Sequence, residues 1–144
     1  MKKTAIPQHL EEYLEALWVL QIEDKAKTVK TNQIARLLEV KASSVTEALG
    51  KLEKKGWIKH EKYYGVSLTG KGKMQAEKAI RRHRLAEKLL IDILRVNPKH
   101  VEKTACGFEH YLDKNVEARL CEILNHPNKC IHGKNIPKGK CCKK

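Results

Sequence analysis

Thr31-Asn32-Gln33-Ile34-Ala35-Arg36-Leu37-Leu38-Glu39, Val40-Lys41-Ala42 and Ser43-Ser44-Val45-Thr46-Glu47-Ala48-Leu49 follow one another without interruption. In the first run Ile34, Leu37 and Leu38 recur at the helical period, and Thr31 is placed to cap it. This predicts a short helix over 32–39. Val40-Lys41-Ala42 reads as a tight turn. A second helix opens at Ala42 or Ser43 and runs to about Lys55, with Val45, Leu49 and Leu52 inward and Gly56 as its stop. Upstream, Leu10, Tyr13, Leu14, Leu17, Trp18 and Leu20 give an amphipathic helix over 8–21 whose polar face carries Glu11, Glu12 and Glu15. Downstream, residues 57–62 and 66–69 alternate like two short strands, with Tyr63-Tyr64-Gly65 as the hairpin tip. Helix, helix, turn, helix, hairpin is the order of a winged helix-turn-helix.

Beyond Gly70-Lys71-Gly72 the pattern predicts a long helix over 73–94, a break at Asn97-Pro98, a helix from Pro98 to Leu112 and another over 116–124. The expected fold is therefore mainly α. A winged helix-turn-helix DNA-binding domain (1–72) precedes a helical dimerisation and metal-binding domain (73–125) and a Cys/Lys-rich tail (126–144). Ile80, Leu85, Leu89, Leu90, Ile93, Phe108, Leu112, Leu120 and Ile123 are candidates for its core or a dimer interface.

The chain has 144 residues, 41% of them hydrophobic, enough for a real core. Its formal net charge of +13 calls for a polyanionic partner. Double-stranded DNA fits, and an anionic membrane surface is the rival. No apolar run reaches the ~18 residues of a spanning helix, and no secretory signal opens the chain, so a soluble, cytoplasmic protein is expected. Of five cysteines, Cys121, Cys130, Cys141 and Cys142 crowd the C-terminal end. An odd, uneven set does not describe a secreted disulfide framework.

In a helix-turn-helix the second helix lies in the major groove with its N-terminal residues at the base edges. Ser43, Ser44, Thr46 and Glu47 hold that place here. Lys51 and Lys54, with Lys62, Tyr63 and Tyr64 at the hairpin tip, suit phosphate contact. The plainer reading of each is an ordinary solvated surface residue.

Cys106-Gly107-Phe108-Glu109-His110 puts a thiolate, a carboxylate and an imidazole within about a third of a helix circumference. His83 and Glu87 share a face at i, i+4, Glu12 and Glu15 at i, i+3, and Glu102 precedes Cys106 by a turn. Singly, such residues are more often core thiols or solvated side chains. Together they form a mixed N/O/S set suited to a divalent transition metal.

Five segments carry a family resemblance: residues 10–15, Ser43-Ser44-Val45-Thr46, the wing 61–65 with Leu68-Thr69, residues 82–87, and Cys106-x-x-Glu109-His110. With them the chain resembles the diphtheria-toxin-repressor family of iron- and manganese-dependent transcriptional regulators, over nearly all of residues 8–138. The resemblance implies a primary activating site of Cys106, Glu109 and His110 with Glu12. It implies a second site of His83 and Glu87, with Glu102 where the iron branch has a further His. The iron branch usually has Met where Glu12 stands and the manganese branch Asp; the manganese branch has Glu where Cys106 stands and an acidic residue where Glu15 stands. The soft thiolate favours Fe(II), with Mn(II) next. The implied function is a metal-activated dimeric repressor of metal-uptake genes on a palindromic operator, with no small-molecule substrate and no membrane partner. Many relatives continue into an SH3-like domain; the expectation here is a short form in which the cysteine-rich segment takes its place. Cys121, Cys130, Cys141 and Cys142, with His132 as an alternative, are expected either to bind zinc or iron or to be loose reduced thiols. A metal-independent DNA-binding protein and a metallohydrolase are the competing readings. The second needs an open metal position and an acid/base pocket for which the sequence offers no residues.

Overall fold

The computed structural model describes residues 8–142. Their contacts divide the chain into two compact units, residues 1–77 and 78–144.

In the first unit, α1 (Gln8–Leu17) continues as a wide turn over Trp18–Glu23, closed by the Asp24 N–H donating to the Val19 carbonyl at 2.9 Å. Helix α2 (Thr31–Leu38) begins one residue earlier than Thr31 capping would put it. Lys30 is the cap, and the Gln33 side chain accepts from its backbone N–H at 2.8 Å. Glu39 takes the left-handed conformation that ends the helix, and α3 (Ala42–Lys54) follows as expected. Strands β1 (Ile58–Glu61) and β2 (Gly65–Leu68) pair antiparallel, Ile58 opposite Leu68 and Glu61 opposite Gly65.

Val29 extends this hairpin by a bridge to Val66, with two backbone hydrogen bonds of 2.8 Å. The bridge explains Gly65. With φ of +116°, it lies so close to the Val29 carbonyl that a Cβ would collide with it. Leu10, Leu14, Leu17, Val29, Ile34, Val45, Leu49, Leu52, Ile58 and Val66 form the core, the inward faces of every element of the unit. Each buried aliphatic side chain of this kind contributes ~1.5–3 kcal/mol of transfer free energy.

Helix α4 (Gly70–Lys88) starts three residues before the predicted 73. Two glycines argue for a linker by propensity, but Thr69 overrides them: its hydroxyl accepts from the Gly72 N–H at 3.1 Å, and its carbonyl accepts from the Lys73 N–H. Gly72 is required there, because a Cβ would run into the Trp57 carbonyl.

The second unit begins within α4, which runs into a wide turn over Leu89–Ile93. Helix α5 (Pro98–Phe108) is capped by the Asn97 side chain, with Pro98 in its first turn as expected. It tightens into a 3-10 turn, Glu109–Tyr111, ahead of Leu112. Helix α6 (Lys114–Ile123) starts two residues before the expected 116, because the Asp113 carboxylate accepts from the N–H groups of Asn115 and Val116.

The irregular segment 126–142 belongs to this unit's core: Cys130 and Ile136 are buried with Leu85, Leu90, Val101, Leu112, Leu120 and Cys121. Arg84 donates to the Asn135 carbonyl at 2.6 Å and Arg81 to the Pro137 carbonyl at 2.8 Å, so two arginines of α4 hold it by its backbone. Of the proposed interface residues, Ile80, Leu85, Leu90, Leu112 and Leu120 are buried, whereas Ile93, Phe108 and Ile123 are exposed with Leu94, Tyr111 and Val116. No helix among the described residues is long and apolar enough to cross a membrane.

Candidate metal centres and DNA-reading surface

Cys106 lies in the last turn of α5, and Glu109 and His110 open the 3-10 turn that follows. The Cys106 Sγ and a ring nitrogen of His110 lie within 4.8 Å of each other, as the i, i+4 spacing demands. Glu109 is fully buried. Its Oε1 stands 3.1 Å from His83 Nδ1 and 4.0 Å from His110 Nε2, while no hydrogen bond among the described residues reaches its Oε2. A buried carboxylate oxygen without a donor is costly. Cys106, His110 and Glu109 do not all gather within 4.8 Å of one another; the near neighbour of Glu109 is His83, and a divalent cation reaching Oε2 would satisfy that oxygen. Thiol, carboxylate and imidazole are donors that fit a transition metal. Glu12, the other expected primary-site residue, and Glu15, a further metal-ligand candidate, sit one turn apart on α1 of the first unit.

The second cluster is assembled within the second unit. His83 Nε2 is 3.1 Å from Glu87 Oε1 and 3.6 Å from Glu102 Oε1. The three residues offer ligand atoms all within 4.8 Å of one another. His83 and Glu87 are buried and Glu102 is exposed. Hydrogen bonding to His83 holds the Glu102 carboxyl below the usual carboxylate range, outweighing desolvation. His132, the alternative ligand considered for the thiolate site, is instead 3.4 Å from Glu87 Oε2, on the rim of this cluster.

A third cluster gathers Cys121, His126, Cys141 and Cys142, with all ligand atoms within 4.8 Å of one another. Cys130 is not part of it. That thiol is buried in the hydrophobic core and accepts from the His132 backbone N–H at 3.4 Å, so it packs as a small apolar side chain. The fourth position, for which the sequence reading puts forward His132 as the alternative, is taken by the other imidazole of this segment, His126. It gets there because α6 ends with Asn125 and His126 both at positive φ and the His126 N–H donating to the Cys121 carbonyl at 2.8 Å. The cysteines are free thiols. Burial pushes the Cys121 thiol up, while at Cys142 desolvation is outweighed by hydrogen bonds from the Gly139 backbone and His126, which hold that thiol down.

In the first unit Ser43, Ser44, Thr46 and Glu47 are exposed along the N-terminal half of α3. Lys51 pairs with Glu47 at 3.2 Å, and Lys54 is exposed in the last turn. At the hairpin tip Tyr63 and Tyr64 are 86% and 68% exposed, with the Lys62 ammonium 5.2 Å from the Tyr63 ring centre. Large aromatic rings that project from a folded unit beside lysines are groups poised for a partner.

Residues 6–66 match the N-terminal DNA-binding domain of the iron dependent repressors, and residues 69–138 match their metal-binding and dimerisation domain. The chain is 34% identical over 113 residues to an uncharacterized HTH-type transcriptional regulator, MJ0568, of Methanocaldococcus jannaschii, covering 78% of this chain and 90% of that protein. It is 32% identical over 127 residues to the iron-dependent repressor IdeR of Mycobacterium leprae, covering 88% of this chain and 54% of IdeR. The solved structure of the manganese regulator SloR superposes with a TM-score of 0.81 at 32% identity, covering 90% of this chain and 59% of SloR. The chain thus spans little more than half the length of IdeR and SloR and nearly all of MJ0568. Carrying the DNA-binding domain and the metal-binding and dimerisation domain in order, the chain belongs to the iron dependent repressor family.

Proposed function

We propose that this chain is a metal-activated transcriptional repressor that binds a palindromic operator as a homodimer and controls metal-uptake genes. The observation that carries the reading is Glu109: a fully buried carboxylate with an unserved oxygen, in the 3-10 turn that holds His110 and directly follows the helix carrying Cys106. On this reading Glu12, with Glu15 beside it, completes the primary site from α1, and His83, Glu87 and Glu102 form the second.

A divalent iron or manganese ion supplies the preferential stabilisation of the DNA-competent arrangement, and its effect is no larger than that preference. The remaining work is done by the chain. Glu12 and Glu15 report the state of α1, the first helix of the DNA-binding unit. Ser43, Ser44, Thr46 and Glu47 face base edges from α3, and Lys51, Lys54, Lys62, Tyr63 and Tyr64 hold the phosphates. The exposed apolar residues Ile93, Leu94, Phe108, Tyr111, Val116 and Ile123 supply the surface for a second copy. The Cys106 thiolate favours Fe(II) over Mn(II).

The test is an anaerobic DNA-binding titration with Fe(II), Mn(II), Co(II), Ni(II) and Zn(II). Affinity rising most with Fe(II), then Mn(II), supports the reading. Affinity unchanged by every metal identifies a metal-independent DNA-binding protein instead.

A further inference from the structure

The cluster of Cys121, His126, Cys141 and Cys142 has no part in the sites proposed above, and its geometry is that of a coordination shell. In a tetrahedral zinc site with Zn–S of ~2.3 Å and Zn–N of ~2.0–2.1 Å, simple trigonometry puts sulfurs roughly 3.8 Å apart and sulfur and nitrogen about 3.5 Å apart. Here Cys121 Sγ to Cys142 Sγ is 3.5 Å and Cys141 Sγ to Cys142 Sγ is 3.7 Å. His126 Nδ1 is 3.4 Å from Cys121 Sγ and 3.5 Å from Cys142 Sγ. These four separations are far too long for a disulfide and match four of the six edges of the tetrahedron, the other two, from Cys141 to Cys121 and to His126, lying within 4.8 Å.

The surroundings suit the same purpose. Arg81 donates to the Cys141 Sγ at 3.3 Å and reaches the Cys142 Sγ at 4.0 Å, while pairing with Glu117. A guanidinium hydrogen-bonded to thiolates offsets the surplus negative charge that three of them leave on a dication and fixes their orientation. Arg81 is itself buried, so this contact is built into the unit rather than made on its surface. The two adjacent cysteines both reach the centre because Lys140–Cys142 forms a 3-10 turn.

We propose that Cys121, His126, Cys141 and Cys142 form a closed, tetrahedral structural zinc site that fastens the C-terminal segment to α6. Each ligating thiol gives its proton to solvent as its sulfur–zinc bond forms, and nothing is oxidised or reduced. Four protein ligands leave no open position, so the site is structural rather than catalytic. The same segment carries His132 to the rim of the His83–Glu87–Glu102 cluster, so the zinc also holds that imidazole in place.

The experiment uses the full chain, reduced and freed of metal. Zinc is added, and the cysteines are alkylated and mapped one by one by mass spectrometry. The expected result is that the first equivalent of zinc protects Cys121, Cys141 and Cys142 and leaves the rate at Cys130 unchanged. Equal rates at those three thiols with and without zinc overturn the proposal. Co(II) in place of zinc separates this site from the one at Cys106. Intense thiolate-to-cobalt absorption is expected to survive Cys106→Ser and, in Cys142→Ser, to fall to the weaker band that the single Cys106 thiolate supplies. The reverse pattern overturns the proposal while leaving the primary site standing. Should Cys142→Ser fail to fold by circular dichroism, the alkylation map of the unaltered chain decides.

Discussion

His83 Nδ1 lies 3.1 Å from Glu109 Oε1, while the other nitrogen of the same ring lies 3.1 Å from Glu87 Oε1. One imidazole thus touches a carboxylate of each proposed activating site. When Nε2 serves as a ligand, Nδ1 carries the proton and donates it to Glu109, which fixes the tautomer and the ring orientation together. His83 is therefore a positioning residue for Glu109 as well as a candidate ligand of the second site.

His83→Ala removes the donor from a buried carboxylate, and it is expected to lower stability by ~1–3 kcal/mol. Glu102→Ala, at a side chain 74% exposed, is expected to change it by less than about 0.5 kcal/mol. Urea unfolding of the two variants without metal measures the difference. Equal midpoints would show that the His83–Glu109 contact contributes nothing.

Two glycines should respond to alanine in opposite directions. At Gly72 a Cβ meets the Trp57 carbonyl, and Gly72→Ala is expected to cost ~1–3 kcal/mol. At Gly50, inside α3, the space is open, and Gly50→Ala is expected to gain about 0.5–1 kcal/mol from helix propensity. Thermal denaturation of both variants checks the pair. A stabilising Gly72→Ala would mean that the close approach of α4 to the Trp57 backbone is not as described.

Binding to duplex DNA should weaken steeply as salt rises. Lys62→Ala should reduce the slope of log affinity against log salt by about one unit, with a similar loss on any sequence. Ser44→Ala should instead alter the preference between operator variants. Fluorescence anisotropy at several salt concentrations reads both, and an unchanged slope for Lys62→Ala would remove the wing tip from the phosphate contacts.

The legible parts of this chain were those set by local pattern. Ile34, Leu37, Leu38, Val45, Leu49 and Leu52 announced α2 and α3 through their period, and the alternation on either side of Tyr63-Tyr64-Gly65 announced the hairpin. The start of α4 was hidden because the glycine penalty at Gly70 and Gly72 is local, whereas the Thr69 cap and the Trp57 approach that outweigh it are set by the hairpin. Val29 was hidden because a one-residue bridge has no period. The cluster spacing on α5 was readable from helix geometry, but the His83–Glu109 contact joins residues 26 apart and depends on how α4 and α5 pack. Residue type does not favour His126 over His132, because the place of His126 depends on a chain reversal at positive φ. Cys130 was expected among the ligands on residue type alone, and the core claimed it.

The central claim is that metal acts on DNA binding through the buried Glu109 carboxylate. Glu109→Gln keeps size and hydrogen-bonding capacity but removes the charge that a dication requires. The direct measurement is operator affinity of the parent and of Glu109→Gln, each with and without Fe(II) under anaerobic conditions, after circular dichroism has established that both are folded. The account predicts that Fe(II) raises the affinity of the parent by roughly 10-fold or more, the coupling of an ordinary allosteric effector, and leaves that of Glu109→Gln unchanged. A Glu109→Gln protein that responds to Fe(II) as the parent does would contradict it.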